Sequence, residues 1–245
     1  MDSRPQPAGF GNCVRCPFLV SGPAQVCFDC AKSSFERLAK NRCSLCELAL
    51  KPDGSCGNPL CRWDESSRYF RSVSAISMRT GPLRRAIDRY KVDGKRAWAR
   101  IFGRVLLGYI GAHDAEFHGY DLIIPSPTYV GDGGRAFDHT ALVIESAAFE
   151  DDGTWPFETG VVQKSGATTP FRGKTWQRRY EIAELELRPA LTLSDPDLVR
   201  GKRILVYDDV YTEGLTLREV ARSLRDAGAV EVSEVVLARQ PYSGS

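Results

Sequence analysis

Residues 203 to 217 of the 245-residue chain run Arg203-Ile204-Leu205-Val206-Tyr207-Asp208-Asp209-Val210-Tyr211-Thr212-Glu213-Gly214-Leu215-Thr216-Leu217. An apolar run with β-branched residues ends in two adjacent carboxylates, a Thr/Gly turn follows, and apolar residues then recur at helical spacing from Leu217 to Leu224. The pattern predicts a strand, a turn and a helix. In an open parallel sheet, ligands bind beyond the carboxyl ends of the strands, where the next helix offers unpaired N–H groups to an anion. We therefore expect Asp208 and Asp209 to stand beside a phosphate-binding turn; a buried strand that ends in an Asx-type turn is the alternative.

These residues resemble the ribose-phosphate motif of the type I phosphoribosyltransferases. In that family two acidic residues bind the ribose hydroxyls, and a Thr-Thr-Gly-x-Thr loop holds the 5′-phosphate of phosphoribosyl pyrophosphate. The resemblance implies catalytic roles for Asp208 and Asp209 and phosphate binding by the loop Thr212-Glu213-Gly214-Leu215-Thr216. Glu213 replaces the second Thr and adds negative charge beside the phosphate position, although its N–H can still donate if the side chain points away to solvent.

All eight cysteines lie between Cys13 and Cys61, which indicates a separate module. They form the pairs Cys13/Cys16, Cys27/Cys30, Cys43/Cys46 and Cys56/Cys61. A Cys-x-x-Cys turn directs two thiolates at one tetrahedral cation, so four pairs predict two structural zinc sites. Disulfides or redox pairs are the alternatives, and they are disfavoured in a chain without an export signal and with four pairs in series. The spacing leaves open whether neighbouring pairs share a metal or whether a cross-brace joins Cys13/Cys16 to Cys43/Cys46.

The composition is that of an ordinary soluble globular protein, with 42% hydrophobic and 26% charged residues. No apolar stretch approaches the length of a membrane span, and the N-terminal residues lack the apolar region of a signal peptide, so we expect a cytoplasmic location. The net charge of +2 is too small to indicate nucleic-acid binding by itself. Basic residues are concentrated, however, between Arg79 and Arg104, where nine Lys and Arg accompany only two Asp.

This basic segment predicts two helices. Gly81-Pro82 opens the first, Asp93-Gly94 ends it, and apolar residues from Trp98 to Tyr109 mark the buried face of the second. The basic side chains are left for the polar faces, where they form either a solvated surface or a phosphate-binding one. We single out Lys91, at the end of the first helix, as a ligand of pyrophosphate.

The order of segments resembles the ComF family of competence-associated proteins along most of the chain. A cysteine-paired head is followed by Ala86-Ile87-Asp88-Arg89-Tyr90-Lys91-Val92-Asp93-Gly94-Lys95 and then by the phosphoribosyltransferase-like part. Pro125-Ser126-Pro127 is similar to the family's Pro-x-Pro, and Arg135-Ala136-Phe137-Asp138-His139 is similar to its Arg-Gly-Phe-Asn-Gln. The resemblance implies that Arg135 contacts pyrophosphate and that the partners include single-stranded DNA or the DNA-uptake machinery. We interpret His139 as a helix-start residue rather than a base.

Strands and helices alternate from residue 121 onward, which predicts a parallel α/β sheet. Strands are expected at 121–125, 159–163, 187–193 and 232–237, and the helix from Leu215 is expected to end at Gly228. The segment from Lys164 to Tyr180 has five basic residues and no acid, and we predict a functional lid there.

Together these features predict a cysteine-rich zinc module over residues 1–65, a basic helical connector over 66–112 and a type I phosphoribosyltransferase-like α/β domain, with helices on both faces of a parallel sheet, over 113–245. As an enzyme of the glycosyltransferase class, the protein would bind phosphoribosyl pyrophosphate with Mg²⁺ and transfer ribosyl phosphate to a nitrogen nucleophile. The alternative is a non-catalytic ComF-like protein of DNA handling, whose ribose-phosphate pocket is vestigial or sensory.

Overall fold

A parallel sheet forms the centre of the molecule in this computed structural model, which describes residues 28, 29, 31, 32 and 35–241. In chain order the strands are β1 Val73–Met78, β2 Leu122–Pro125, β3 Val162–Lys164, β4 Leu191–Leu193, β5 Arg203–Tyr211 and β6 Glu231–Arg239. Four of them pair in parallel in the order β1-β6-β5-β2. The predicted parallel sheet is therefore confirmed, with the 203–211 strand in its interior.

Strand β5 is buried on both faces because helices cover both sides of the sheet. In chain order the helices are α1 Glu65–Arg68, α2 Gly81–Lys91, α3 Trp98–Ala112, α4 Asp114–Phe117, α5 His139–Glu150, α6 Trp176–Ile182, α7 Arg188–Ala190 and α8 Leu215–Asp226. Leu205 and Tyr207 enter a core shared with α2, α3 and α5, whereas Ile204 and Val206 enter a core shared with α8. A strand buried on both faces shows a continuous apolar run, which is the pattern seen in the sequence.

The second core also contains part of the cysteine module. Cys43, Cys46 and Leu60 are buried together with Ile204 and Val206 of β5, so this module packs on the α8 side of the sheet. The loose alternation of apolar residues from Ser66 to Ser77 is compatible with a short strand in the connector, and β1 lies there and pairs with β6 at the edge of the sheet.

The segment between residues 159 and 193 differs from the prediction. Only the three residues of β3 and the three residues of β4 form strands in this segment. These two strands pair with each other in an antiparallel two-stranded sheet apart from the main one. A π-helix over Ala183–Leu187 and α7 occupy most of the predicted 187–193 strand. Pro189 lies in the first turn of α7, where its fixed φ and missing N–H are tolerated, so the local sequence suits a helix start better than a strand.

The predicted ends of other elements agree with the structure. Helix α8 ends at Asp226, and Gly228 follows with φ of 100°, the left-handed conformation expected just after a helix. The predicted lid is shorter than the basic segment, because α6 begins at Trp176 and the Thr175 side chain caps it. Among the described residues, every helix is too short or too polar to cross a membrane.

Candidate functional site

Two carboxylates lie side by side near the C-terminal end of β5. Asp209 is buried, with 2% of its surface exposed, and the Lys91 Nζ atom at the end of α2 lies 2.8 Å from Asp209 Oδ2 and 2.9 Å from Oδ1. Burial acts to raise the pKa of Asp209, but the positive charge of Lys91 and the hydrogen bond from it lower this pKa to about 2. Lys91, predicted to hold pyrophosphate, therefore lies at this site and neutralises Asp209.

Asp208 has the opposite electrostatic environment. Its Oδ1 accepts a hydrogen bond of 2.7 Å from the backbone N–H of Asp209. Burial, followed by the negative charge of Asp209, raises the pKa of Asp208 to about 7. The pair thus holds one firmly ionised carboxylate and one that titrates near neutral pH.

His139 completes this cluster, although it was predicted only to start a helix. It is the first residue of α5, as predicted, but its Nε2 atom lies 3.6 Å from Asp209 Oδ2. Burial lowers the pKa of His139 to about 3, so the ring is neutral at physiological pH. Its Nδ1 lies 3.3 Å from Thr128 Oγ1. The only available signal was its position in the segment 135–139, directly after the loop that follows β2.

The donor set of this cluster suits a divalent cation. Ligand atoms of His139, Asp208 and Asp209 all lie within 4.8 Å of one another. Within the described part of the chain, the buried Nε2 of His139 has no hydrogen-bond partner. Carboxylate oxygens are preferred by Mg²⁺, so the two Asp side chains fit the Mg²⁺ that the phosphoribosyltransferase resemblance implies.

The turn after β5 presents unpaired backbone N–H groups. Gly214 has φ of 91° and precedes α8, whose first turn has no side-chain cap. Within the described residues, no acceptor contacts the N–H groups of residues 212–216. A side chain at position 214 is excluded, because a Cβ atom there would lie 2.2 Å from the Tyr211 hydroxyl. This turn can therefore receive an anion at the positive end of the α8 dipole.

Glu213 does not point away to solvent, the orientation that the sequence analysis considered. Its Oε1 lies 3.1 Å from Arg179 Nη2 of α6, and the side chains are 16% and 19% exposed. Burial raises the pKa of Glu213, and the Arg179 charge opposes that shift. The carboxylate at the altered motif position is thus matched by a cation from the segment predicted to be a lid.

Arg135, the other predicted pyrophosphate ligand, is exposed at the end of the loop after β2. Its charge contributes to lowering the pKa of His139, which places it within electrostatic reach of the carboxylate cluster. No carboxylate of the described residues forms an ion pair with it. Its guanidinium is therefore available to an anion near the site.

Four cysteines form a second cluster. The Sγ atoms of Cys43, Cys46, Cys56 and Cys61 lie within 4.8 Å of one another, which joins neighbouring pairs and excludes the cross-brace for this group. Backbone N–H groups donate to two of these sulfurs at 3.4 Å, from Leu45 to Cys43 and from Asn58 to Cys56. A hydrogen bond from Cys61, aided by the charge of Arg239, lowers the pKa of Cys46 to about 5. Four convergent thiols can bind one zinc ion. Cys13, Cys16, Cys27 and Cys30 lie outside the described residues.

The chain is similar to known proteins over parts of its sequence. Residues 150–244 match the model of the phosphoribosyl transferase domain. The chain is 25% identical over 214 residues to Competence protein ComFC of Streptococcus pneumoniae, and the match covers 87% of both proteins. A 77-residue segment is 32% identical to the amidophosphoribosyltransferase of Synechocystis sp., of which it covers 14%.

Two solved structures align with part of the chain. The allosteric regulatory enzyme of purine biosynthesis has a TM-score of 0.33 and 22% identity, over 56% of this chain and 25% of the other. A hypoxanthine phosphoribosyltransferase of Staphylococcus aureus has a TM-score of 0.36 and 11% identity, over 60% of this chain and 65% of the other. The chain thus spans less than two thirds of each solved chain. By sequence it is similar to a ComF competence protein along 87% of its length and matches the phosphoribosyl transferase domain over residues 150–244, as the resemblance predicts.

Proposed function

We propose that the protein binds phosphoribosyl pyrophosphate with Mg²⁺ at the end of β5 and transfers ribosyl phosphate to a nitrogen nucleophile. The observation that carries this proposal is that paired carboxylates and unpaired N–H donors lie close together on one strand-turn-helix unit. Asp208 and Asp209 lie a few residues before a turn whose N–H groups, at 212–216, have no acceptor among the described residues. A ribose phosphate has vicinal hydroxyls and a 5′-phosphate, which match carboxylates and N–H donors respectively.

Each side chain then has a defined role. Asp208 and Asp209 accept hydrogen bonds from the ribose hydroxyls, and residues 212–216 donate to the 5′-phosphate from their N–H groups and from the hydroxyls of Thr212 and Thr216. Arg135 and Lys91 bind the pyrophosphate. Lys91 already contacts Asp209 at 2.8 Å, so it is held at the edge of the site before any ligand arrives.

The chemistry requires stabilisation of positive charge at C1 and exclusion of water. Departure of pyrophosphate gives C1 oxocarbenium character, and the carboxyl pair Asp208 and Asp209, of which Lys91 neutralises one member, supplies negative charge nearby. Asp208 and Asp209 would hold Mg²⁺, and the bound cation would supply charge neutralisation for the pyrophosphate leaving group. His139 is a poor general base because its pKa is about 3. The segment 164–180 carries exposed Arg172 and Lys174, and this charge suits a lid that closes over phosphates.

Calorimetric titration with phosphoribosyl pyrophosphate and Mg²⁺ tests the proposal. We expect saturable binding to the natural protein and at least about tenfold weaker binding to Asp208→Asn/Asp209→Asn, because loss of one or two charged hydrogen bonds corresponds to about 1.5 to 3 kcal/mol. The control Asp151→Asn/Asp152→Asn removes the same charge from another adjacent pair and should bind normally. Absence of saturable binding to the natural protein would refute the proposed activity.

A second candidate function is binding of single-stranded DNA. Exposed Arg85, Arg89 and Lys95 lie on α2 and the turn after it, and they form no ion pair within the described part of the chain. Such unpaired cations favour contact with a phosphate backbone. ComFC, a relative in the comparison, is named a competence protein, and the ComF resemblance implies single-stranded DNA among the partners.

The salt dependence of DNA affinity tests this candidate. Three phosphate contacts on a single strand contribute about 2 to the slope of log affinity against log salt. Arg85→Ala/Arg89→Ala/Lys95→Ala should therefore reduce that slope by about 2. The control Lys40→Ala/Lys51→Ala/Lys202→Ala removes three other exposed cations and should leave it unchanged. An equal slope for the two triple variants would exclude this surface.

A further inference from the structure

Asn58 connects the cysteine cluster to the turn at residues 212–216. It lies between Cys56 and Cys61 and is 1% exposed. Its Nδ2 donates to the backbone oxygen of Glu213 at 3.1 Å and to the Tyr211 hydroxyl at 3.4 Å. Its Oδ1 accepts from the backbone N–H of Leu60 at 3.1 Å, which fixes the orientation of the amide. A polar side chain buried inside the cysteine loop thus holds a carbonyl of the turn.

Arg239 makes the second connection. It is 1% exposed, and its Nε donates to the backbone oxygen of Cys46 at 2.8 Å. Its Nη1 donates to the backbone oxygens of Thr212 at 2.7 Å and Tyr211 at 3.1 Å. The guanidinium also lies over the Tyr211 ring, 5.0 Å from its centroid. One buried cation therefore joins the first Cys-x-x-Cys turn of the cluster to the last residues of β5.

These bonds have a directional consequence. The C=O and N–H groups of a trans peptide point in opposite directions. Because the carbonyls of Tyr211, Thr212 and Glu213 accept hydrogen bonds from Arg239 and Asn58, the N–H groups of the next three residues point away from those donors. Those three N–H groups, of residues 212–214, are part of the set at 212–216 that lacks an acceptor among the described residues. The hydrogen bonds from Asn58 and Arg239 to the carbonyls therefore fix the direction in which the N–H groups of the anion-binding turn point.

We propose that Asn58 and Arg239 are positioning residues through which a metal ion in the Cys43/Cys46/Cys56/Cys61 cluster orders the anion-binding turn. Both depend on the cluster, because Asn58 is two residues from Cys56 and Arg239 holds the carbonyl of Cys46 itself. Loss of the metal frees the loop that carries Asn58 and the turn that carries Cys46. The turn at 212–216 then loses its supports without any change in its own sequence. Only the use of the turn for phosphate rests on the proposed function.

Backbone ¹⁵N order parameters of the full chain, without any phosphate ligand, test this coupling. We expect values near 0.85 at residues 212–216 in the zinc-loaded protein and values below about 0.6 in Asn58→Ala, at unchanged zinc content. Removal of zinc from the natural protein with a chelator should lower the same values. Helix α5, which contacts neither support, serves as the internal reference. Asn41→Ala, at an exposed position of the same module, is the matched control and should resemble the natural protein.

A second variant separates the hydrogen bond to the turn from the cap at Leu60. Asn58→Asp retains an acceptor for the Leu60 N–H but loses the Nδ2 donor, so it should also lower the order parameters at 212–216. Ordered residues 212–216 in Asn58→Ala, or loss of order in Asn58→Ala but not in Asn58→Asp, would overturn the proposal. If chelation lowers the order parameters in α5 as well, the protein has unfolded. The order parameters of the two Asn58 variants then decide whether the proposal holds. Failure of phosphoribosyl pyrophosphate to bind would refute the proposed activity and leave this result intact.

Discussion

Replacement of Cys61 by Ser is expected to release the metal from the Cys43/Cys46/Cys56/Cys61 cluster and to lower the free energy of unfolding by at least about 3 kcal/mol. A hydroxyl is a poor zinc ligand, and the binding free energy of a structural zinc contributes directly to folding. The loss is large because Cys43 and Cys46 lie in the core beneath β5, packed with Leu60. It is a substantial fraction of the roughly 5 to 15 kcal/mol that stabilises a typical domain.

Zinc content and urea unfolding of the same preparations measure this effect. Ser44→Ala is the control, because Ser44 is exposed within the same Cys-x-x-Cys turn and should change neither zinc content nor stability by more than about 0.5 kcal/mol. A Cys61→Ser protein that keeps its zinc and its stability would show that the four sulfurs do not form a structural metal site.

Replacement of His139 by Asn is expected to make the protein less sensitive to acid. Between pH 7 and pH 5, the free energy of unfolding should fall by about 2 kcal/mol less in His139→Asn than in the natural protein. The pKa of His139 falls from 6.5 to about 3 on folding, chiefly because of burial. At pH 5 the unfolded state therefore binds a proton that the folded state does not, so the natural protein loses stability as the pH falls through 6.5. The Asn variant lacks this term, and its stability should fall less over the same interval.

Urea unfolding at pH 7 and pH 5 in Mg²⁺-free buffer measures the difference. Asp208, whose pKa is raised by burial to about 7, acts in the opposite direction, but it is present in both proteins and largely cancels in the comparison. His118→Asn is the control, because the His118 side chain is 74% exposed and its removal should leave the pH dependence unchanged. Equal pH dependence of the natural protein and His139→Asn would mean that the ring is not held neutral beside Asp209.

Local sequence signals predict the elements of the fold around β5 correctly. The apolar run of β5, the paired carboxylates and the glycine at position 214 are contiguous, and their conformational preferences act within a few residues. The same holds for the end of α8 before Gly228 and for the break at Asp93-Gly94 after α2. Each of these features follows from side-chain periodicity or from a φ value that glycine accepts readily.

The rest of the site depends on contacts between residues far apart in the chain. His139 faces Asp209, Arg179 pairs with Glu213, and Asn58 reaches the same turn from the cysteine module. The spacing of apolar residues in the sequence does not indicate such pairings. Each partner taken alone is an ordinary residue of a helix start, a helix surface or a loop. Lys91 is the exception, since its place at the end of a basic helix beside Gly94 singles it out in the sequence. The strands predicted at 159–163 and 187–193 are present in shortened form, but their antiparallel pairing apart from the main sheet is a long-range contact that no local pattern indicates.

The order of strands in the sheet has a consequence for synthesis of the protein. Strand β6 lies between β1 and β5, and Val73 pairs with Glu234 across most of the chain. Of the described strands, β6 leaves the ribosome last, so β1 has no neighbour in the sheet until then. Arg239, which holds Cys46 and the turn after β5, arrives with the same strand. Because such long-range pairing is slow, the nascent chain exposes an unpaired β1 edge during elongation, and the hydrogen bonds of Arg239 to Cys46 and to the turn form only after β6 has joined the sheet.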